Sequence, residues 1–572
     1  MSERGASDAA ERGRDRRALA ALWLISLGAT AAMWRHPGWL AGGYDWRYFE
    51  SAMEAARRSV AWFGQWPLYN PYMCGGEPQL ANPQSIAGSP LFPLVALFGT
   101  AVGAKLMLAL FVGLGVDGAY RLARRLELDR TAASTAALAF GLCGWVAHHF
   151  AVGHVSFFGA TLVPHALYCY LRAKEDLRWS IGLGAVMAVV LAQGGTSTAA
   201  MAAIALGAVA VVDAVAVRGP RPLVVLAAGA GAALGLGAYR LLPALQFAID
   251  HPRHVTESDG QSPLELVRTA FLWSAPGRLA GHRYGLHEYA WRVGYLTWPL
   301  ALVGLLRAGP LRRLAIAVGL IGAAIALGDW LPYGPWWLMR RLPVLRDLRV
   351  PSRYTLLAAL GLALLAGAGV AWLRARLPAR AAPWLVLLAV PTAIEGAIDL
   401  GGRLWPAFEV PEPGRVRAPF YQEKGHWSRM LDIVYQNRGD IGCDEEAPLT
   451  RALQLDEGPG PQVRIDDAAG TARLRAWSPN RLDLDVELDR PATLLVNLNW
   501  NEHWKSSAGE ITRFGDRWPA DRDGGRLAVR LPALRGPVTL RYRPSIFVVG
   551  LVVSALSLLA AGWVVSRRRR IG

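Results

Sequence analysis

The stretch Tyr354-Thr-Leu-Leu-Ala-Ala-Leu-Gly-Leu-Ala-Leu-Leu-Ala-Gly-Ala-Gly-Val-Ala-Trp372 contains no charged residue, and Arg353 precedes it directly. A helix needs roughly 20 apolar residues to cross the hydrocarbon core of a bilayer. A second block of this length runs from Ile546 to Val565. These two blocks predict membrane-spanning helices, so the chain is predicted to be a membrane protein.

The composition supports this prediction. The chain has 572 residues, of which 53% are hydrophobic and 18% charged. A soluble chain has about 25% charged residues. The net charge of +17 would suggest a nucleic-acid partner in a soluble protein. Here the basic residues stand in short tracts beside apolar blocks, which is the pattern that orients membrane helices. No nucleic-acid partner is therefore needed. These tracts are Arg12 to Arg17, Arg121 to Arg130, Arg307 to Arg313, Arg374 to Arg380 and Arg567 to Arg570.

Apolar blocks and basic flanks together predict a polytopic, mainly α bundle of about twelve spans. An even number places both termini in the cytoplasm, with basic tails at 1–17 and 567–572. The first block follows an arginine-rich head, as in a signal peptide, but we interpret it as an uncleaved anchor. The expected location is the bacterial inner membrane. The predicted spans are 18–34, 100–121, 131–148, 155–172, 180–196, 199–217, 222–246, 293–307, 314–330, 353–373, 381–400 and 546–566.

The long polar segments all fall on the side opposite the arginine tracts. A transmembrane domain at 18–400 thus carries outer loops at 35–90, 247–292 and 331–352. Segment 401–545 is different, because its later half alternates: Leu482, Leu484, Val486 and Leu488 share one face. Period-two alternation predicts half-buried antiparallel strands. We expect an extracytoplasmic β-sandwich at 401–545, before the final span at 546–566.

Four cysteines show no metal-binding spacing. Cys143 and Cys169 fall in apolar segments and are interpreted as packing residues. Cys74 and Cys443 are both assigned to the outer side, where a disulfide would survive. Because the sequence does not show that they meet, we interpret them as two unpaired thiols.

The first outer loop combines an acid with a turn-rich motif. Asp45 follows a Gly-Gly pair soon after the first span, and Ala52 to Phe63 reads as an amphipathic helix lying on the membrane surface. The loop continues as Asn70-Pro-Tyr-Met-Cys-Gly-Gly-Glu-Pro78 and Asn82-Pro-Gln-Ser85.

This arrangement resembles the YfhO-like membrane proteins, a branch of the GT-C superfamily of glycosyltransferases. The resemblance covers most of the chain. It includes an "R-x-P-x-R" element entering a late span, matched by Arg349, Pro351 and Arg353, and a "Y-x-P" element before the last span, matched by Tyr542 and Pro544. The family's "G-W-x-x-x-x-D-G" turn is not matched well in this sequence. Asn501-Glu-His-Trp-Lys505 and Gly515-Asp516 stand in its place.

The resemblance implies transfer of a sugar from a polyprenyl-phosphate donor to a cell-envelope glycan, lipid or protein acceptor on the outer face. This activity is inferred by analogy with the superfamily. Such an analogy is weaker evidence for a function than the geometry of a site. Two alternatives stay open: a non-catalytic protein that handles lipid-linked sugars or organises envelope assembly, and a transporter of a lipid or polysaccharide.

Asp45 is the candidate general base, since an acceptor hydroxyl must lose its proton as it attacks the anomeric carbon. By the resemblance it matches the superfamily's first-loop acid. The alternative is that Asp45 pairs with Arg47 or caps the loop helix.

Cationic groups are expected to bind the phosphate of the donor. Arg349 and Arg353, with Arg346 as a weaker partner, stand where a loop re-enters the membrane and can bind phosphate oxygens bidentately. Anchoring to lipid headgroups explains them equally well. Arg240 lies inside an apolar span, so we expect it to face a polar cavity or a buried ion pair.

Other polar residues complete the set of candidates. His148, His149 and His154 flank one outer turn, and His154 is a candidate substrate contact. No carboxylate lies beside them in the sequence, so we assign no metal site and interpret them as interfacial residues, although a divalent metal remains a candidate cofactor. His282, His287 and Glu288 are interpreted as ordinary loop residues rather than acceptor contacts. The candidate substrate contacts of the first loop are Asn70, Glu77 and Gln84, of which Glu77 is also a candidate second acid or a simple turn residue.

Overall fold

The computed structural model describes most of the chain. The described residues are 3–252, 255, 257–272, 278–342, 345–346, 348–378, 380–443, 449–520 and 524–567. Of the predicted basic tail at 567–572, all but Arg567 lies outside the described residues.

Helices dominate the chain up to Leu404. Short 3-10 segments, such as Val155–Leu162, Leu286–Glu288 and Pro351–Tyr354, connect several of them. The α-helices are α1 (Glu3–Ala29), α2 (Trp46–Phe63), α3 (Phe92–Phe98), α4 (Thr100–Arg125), α5 (Arg130–Gly141), α6 (Gly144–Ala151), α7 (Val163–Ala173), α8 (Trp179–Ala192), α9 (Thr196–Val217), α10 (Arg221–Leu236), α11 (Ala238–Asp250), α12 (Pro263–Thr269), α13 (Thr297–Gly304), α14 (Pro310–Ala326), α15 (Pro335–Met339), α16 (Thr355–Arg374), α17 (Ala389–Leu404), α18 (Met430–Tyr435) and α19 (Ser545–Ser566).

Five helical segments of the described residues are long and apolar enough to cross a membrane, and a bent pair, α10 with α11, makes a sixth. The prediction of a mainly helical membrane protein is confirmed, whereas the number of twelve spans stays a prediction. The five segments are Thr100–Arg125, Thr196–Val217, Pro351–Arg374, Ala382–Leu404 and Ser545–Ser566.

Several predicted spans are broken or short, which the apolar pattern alone does not reveal. The span predicted at 131–148 is two helices, because Cys143 is extended and the Gly144 amide donates to the Arg292 carbonyl at 2.5 Å. The span predicted at 222–246 bends by 85° at Gly237. Glycine lowers the cost of such breaks, so an apolar run is not by itself an unbroken helix.

The amphipathic helix of the first outer loop is α2. It begins at Trp46 rather than at Ala52, and most of its residues are buried. One buried polar residue, Arg58, donates to the Tyr435 carbonyl at 2.6 Å and to the Asn437 side chain at 3.3 Å. The helix is thus covered on one side by the chain around α18, and its position along the membrane surface stays a prediction.

The strands lie mostly in the C-terminal part of the chain, and two four-stranded sheets stand out. The strand predicted at Arg481 to Leu488 is confirmed residue for residue. The strands are β1 (Trp39–Leu40), β2 (Tyr69–Asn70), β3 (Glu77–Pro78), β4 (Val410–Pro411), β5 (Tyr421–Glu423), β6 (Arg438–Asp440), β7 (Arg451–Ala452), β8 (Val463–Ile465), β9 (Gly470–Ser478), β10 (Arg481–Leu488), β11 (Ala492–Asn499), β12 (Trp504–Ser506), β13 (Glu510–Phe514), β14 (Arg517–Trp518), β15 (Arg526–Leu531) and β16 (Leu534–Tyr542).

The two sheets have strand orders β12-β16-β10-β9 and β13-β15-β11-β8. Leu484 and Val538 from one sheet and Leu494 and Val529 from the other belong to one buried core. This is the sheet-on-sheet packing expected of a sandwich. The sandwich covers only 463–542, because the sequence before it lacks alternation.

The first outer loop shares its core with the sandwich. Tyr69 is buried against Trp504 and Tyr542, with ring centroids 5.2 and 4.9 Å away. Gly76 has a φ of +109°, and a Cβ there would lie 2.2 Å from the Tyr69 hydroxyl. The Gly-Gly pair of the loop motif is therefore required by close packing, and the Asn501-to-Lys505 turn has a packing role through Trp504.

Cys74 and Cys443 form a disulfide that joins the first loop to the chain after β6. The interpretation as two unpaired thiols is wrong. The two residues are far apart in the sequence, and only the folded chain brings them together. Next to the bond, the Gly75 amide donates to the Asp440 carbonyl at 2.7 Å, so the disulfide reinforces an existing backbone contact.

We expect the purified protein, denatured without reductant, to bind two maleimide–polyethylene glycol molecules, because only Cys143 and Cys169 are free. After reduction it should bind four, which a gel shift measures. The Cys74→Ser/Cys443→Ser variant should lose about 2–4 kcal/mol of stability and melt at lower temperature in detergent. A Cys143→Ala variant is the control. Four labels without reductant would contradict the disulfide.

Candidate functional site

The turn before α2 docks on the turn after α6, and this contact builds the site. The Asp45 amide donates to the Val152 carbonyl at 3.1 Å, and the Trp46 indole donates to the Ala151 carbonyl at 3.0 Å. Gly153 has a φ of +89°, and a Cβ there would lie 2.4 Å from the Trp46 amide nitrogen. The close approach places the next residue, His154, beside Asp45.

Asp45 is held by a histidine. Its Oδ2 lies 3.1 Å from Nε2 of His154, and 52% of its side chain is exposed. Burial alone would raise the pKa of Asp45, but the His154 imidazole outweighs this effect and the pKa lies below its usual value. The carboxylate is therefore ionised at neutral pH and half open to solvent.

The two alternatives considered for Asp45 receive no support. Asp45 stands at the N-cap of α2, but its side chain makes no capping hydrogen bond. Arg47 donates through Nε to the Gly42 carbonyl. The contact that defines Asp45 is the one with His154.

Behind His154 lies a second histidine. Nδ1 of His149 is 2.6 Å from Nδ1 of His154. His149 is fully buried, and its Nε2 has no hydrogen-bond partner among the described residues. The ring of His287 approaches His154 edge-on, with centroids 5.3 Å apart. Burial and the neighbouring His154 lower the pKa of His287 to about 4, so this ring is neutral.

Glu288 and Arg353 form a buried ion pair on the other side of the histidines. Arg353 Nε donates to Glu288 Oε2 at 2.7 Å, and a second contact joins Nη2 to Oε1. The guanidinium also lies 4.7 Å from the ring centroid of Phe157. Burial would raise the pKa of Glu288, but Arg353 reverses the effect and holds it well below its usual value. Glu288 is thus a buried carboxylate.

The structure brings together groups that can hold a metal ion. His149, His154 and Glu288 each offer a ligand atom, and these atoms lie within 4.8 Å of one another. The sequence alone indicates no metal site here, because no carboxylate lies beside the histidines along the chain. The folded chain supplies Glu288 from a distant loop and brings His287 and Glu288 beside the histidines. A local sequence pattern gives no signal for such a pairing.

Arg240 stabilises the first loop. It is buried and donates to the backbone carbonyls of Leu80, Asn82, Pro83 and Ser85. The expected partner of a buried arginine was a carboxylate or a cavity; the observed partners are turn carbonyls. We therefore assign Arg240 to loop architecture and withdraw it from the substrate contacts.

The other candidate residues of the first loop also form hydrogen bonds within that loop. Asn70 and Glu77 are buried opposite each other in the β2-β3 pair, and Asn70 Oδ1 accepts from the Tyr72 amide at 3.0 Å. These contacts favour a structural role for Asn70 and Glu77. The Gln84 backbone N–H donates to Asn82 Oδ1 at 3.0 Å, and the Gln84 side chain stays a candidate substrate contact.

Arg349 lies on the segment that leads to Arg353. Its guanidinium is 5.3 Å from the ring centroid of Tyr284, and its carbonyl accepts from the Asp259 amide at 3.2 Å. It therefore borders the same outer loop that supplies Glu288. The predicted set divides in two: Asp45, His154 and Arg353 come together, and Arg349 stands on the adjoining segment.

Comparison with solved structures shows which fold surrounds this site. The chain resembles the arabinofuranosyltransferase AftD from Mycobacteria with a TM-score of 0.51 and 16% identity, over 92% of this chain. The match covers 40% of AftD, so this chain spans less than half of that protein. The likeness shows a shared fold, in agreement with the predicted GT-C-like architecture.

A second solved structure is ArnT from Cupriavidus metallidurans bound to undecaprenyl phosphate, with a TM-score of 0.45 and 16% identity over 77% of this chain and 86% of that chain. No protein-family model matches the sequence, and no curated protein matches it. The narrower YfhO-like resemblance therefore stays a prediction.

Proposed function

We propose that this protein transfers a sugar from a polyprenyl-phosphate donor to a cell-envelope acceptor on the extracytoplasmic face of the membrane. The observation that carries the proposal is the half-exposed, ionised Asp45 carboxylate, fixed by His154 on the first loop. The fold shared with an arabinofuranosyltransferase supports it.

The proposed reaction uses Asp45 as the general base. The acceptor hydroxyl attacks the anomeric carbon, and a new carbon–oxygen bond forms there. The bond from that carbon to the donor phosphate breaks, and polyprenyl phosphate leaves with the bonding pair. The hydroxyl proton passes to Asp45, whose Oδ2 is occupied by His154 while the side chain remains half exposed to an incoming acceptor.

Positive charge near the leaving phosphate stabilises it. Arg349 is our candidate for a direct phosphate contact, since it borders the site on the segment before Arg353. Arg353 is engaged by Glu288, so we assign it to positioning and to the local field. Arg349 precedes the membrane-length segment Pro351–Arg374, and Arg353 stands at its start, where a lipid-linked phosphate would arrive.

The proposal includes a membrane setting. We propose twelve crossings, cytoplasmic termini and a location in the bacterial inner membrane. This topology places four segments outside the cytoplasm: the first loop, the loops at 247–292 and 331–352, and the segment 401–545. The disulfide between Cys74 and Cys443 supports this placement, because disulfides persist in oxidising compartments.

The test is sugar transfer in proteoliposomes supplied with radiolabelled polyprenyl-phosphate sugars and a cell-envelope extract as acceptor source. We expect protein-dependent release of polyprenyl phosphate together with label in the acceptor fraction. Protein-free liposomes are the control. Donor that is bound but stays intact with every acceptor fraction would contradict the proposal and favour a non-catalytic role. Donor that crosses the bilayer uncleaved would favour a transporter.

A further inference from the structure

We propose that His149, His154 and Glu288 bind one divalent transition-metal ion next to Asp45. Binding itself does not depend on the proposed function. The role that we assign to the ion, stabilising the departing phosphate, rests on it.

The three ligand groups converge from two distant parts of the chain. His149 and His154 come from the end of α6 and the turn after it, and Glu288 comes from the outer loop before α13. All three are buried, and their ligand atoms lie within 4.8 Å of one another. Two imidazoles and one carboxylate are a donor set that favours Zn²⁺ or another imidazole-binding transition metal over Mg²⁺ or Ca²⁺.

The outer partners of these ligands have the arrangement expected around a metal. Metal-bound histidines commonly donate their second ring N–H to a carboxylate, and ligand carboxylates are themselves hydrogen-bonded. His154 Nε2 faces Asp45, so His154 Nδ1 faces His149. Arg353 donates to the Glu288 carboxylate. Both contacts orient the ligands toward a common centre.

The buried Nε2 of His149 has no hydrogen-bond partner among the described residues. An unsatisfied buried polar group is costly, so hydrogen bonds alone do not complete this cluster.

The present spacing requires a small movement for the ion to enter. The two Nδ1 atoms are 2.6 Å apart, whereas two nitrogens on a tetrahedral Zn²⁺ stand about 3.3 Å apart at a Zn–N distance of ~2.0–2.1 Å. A rotation of the His149 ring that turns its unpartnered Nε2 toward the ion would relieve this short spacing.

The experiment measures metal binding without donor or acceptor. Chelator-treated, folded protein is titrated with Zn²⁺, Mn²⁺ and Co²⁺, and bound metal is counted by mass spectrometry. We expect one ion per chain and a Co²⁺ absorption band in the visible range. His149→Asn and His154→Asn should each weaken binding by more than about 100-fold. His426→Asn, which removes an exposed histidine, should change nothing.

The result that overturns the metal site is native binding below one tenth of an ion per chain, or binding unchanged in both ligand variants. A ligand variant counts only if its melting temperature shows a folded protein, and the Co²⁺ band of the native chain provides a readout that needs no variant. Metal binding with no sugar transfer would leave the site standing and contradict the proposed function.

Discussion

Replacement of Asp45 by asparagine is expected to reduce sugar transfer by a factor of about 10²–10⁴, the usual contribution of a general base. The asparagine oxygen still accepts from His154 Nε2, so the turn before α2 keeps its geometry. The amide does not take a proton from the acceptor hydroxyl. The measurement is the transfer rate in proteoliposomes at saturating donor, with donor binding determined separately.

The control for this variant is Asp489→Asn, which makes the same chemical change at a carboxylate that is 78% exposed in an ion pair with Arg535. We expect Asp489→Asn to transfer at the native rate. A folded Asp45→Asn variant that binds donor and also transfers at the native rate would remove Asp45 from the mechanism, although the protein would remain an enzyme.

The candidate site illustrates what local sequence shows about a site. The position of Asp45 after the first span makes it a candidate, and the structure places it in an exposed turn beside a histidine. Its partner was not identified as such, because the contact depends on the turn of Gly153 against Trp46. Position along the chain therefore makes Asp45 a candidate, and three-dimensional packing determines what surrounds it.

The fold shows the same division between local and distant information. Alternation in Arg481 to Leu488 predicted β10, since strand periodicity is a local property. The disulfide between Cys74 and Cys443 and the burial of Tyr69 among sandwich residues depend on the packing of the first loop on the C-terminal region. The periodicity of apolar residues in a sequence gives no information about contacts between distant segments of the chain.

The helix breaks have a related cause. The apolar residues at 131–148 predict one span, but a backbone hydrogen bond from Gly144 to Arg292 interrupts it. The break directs α6 and its histidines toward the outer loop that carries Glu288. The break between α5 and α6 is thus one of the features that assemble the candidate site.

The buried pair of Glu288 and Arg353 leads to the second large prediction. Arg353→Met should destabilise the protein by about 3–5 kcal/mol, because it leaves the buried Glu288 carboxylate without its principal counter-charge. Thermal unfolding in detergent measures the loss. Arg535→Met is the matched control, because its pair with Asp489 is exposed on both sides and exposed pairs contribute little to stability.

The double variant Arg353→Met/Glu288→Met separates stability from function. Apolar side chains of similar volume often replace a buried ion pair at little cost in stability, so the double variant should unfold near the native temperature. It should still transfer no sugar and bind no metal, since it lacks the Glu288 ligand and the Arg353 charge. Recovery of stability together with native transfer would show that this pair only packs the loop before α16. Recovery of stability without transfer would show that the charges at this position are needed for the reaction.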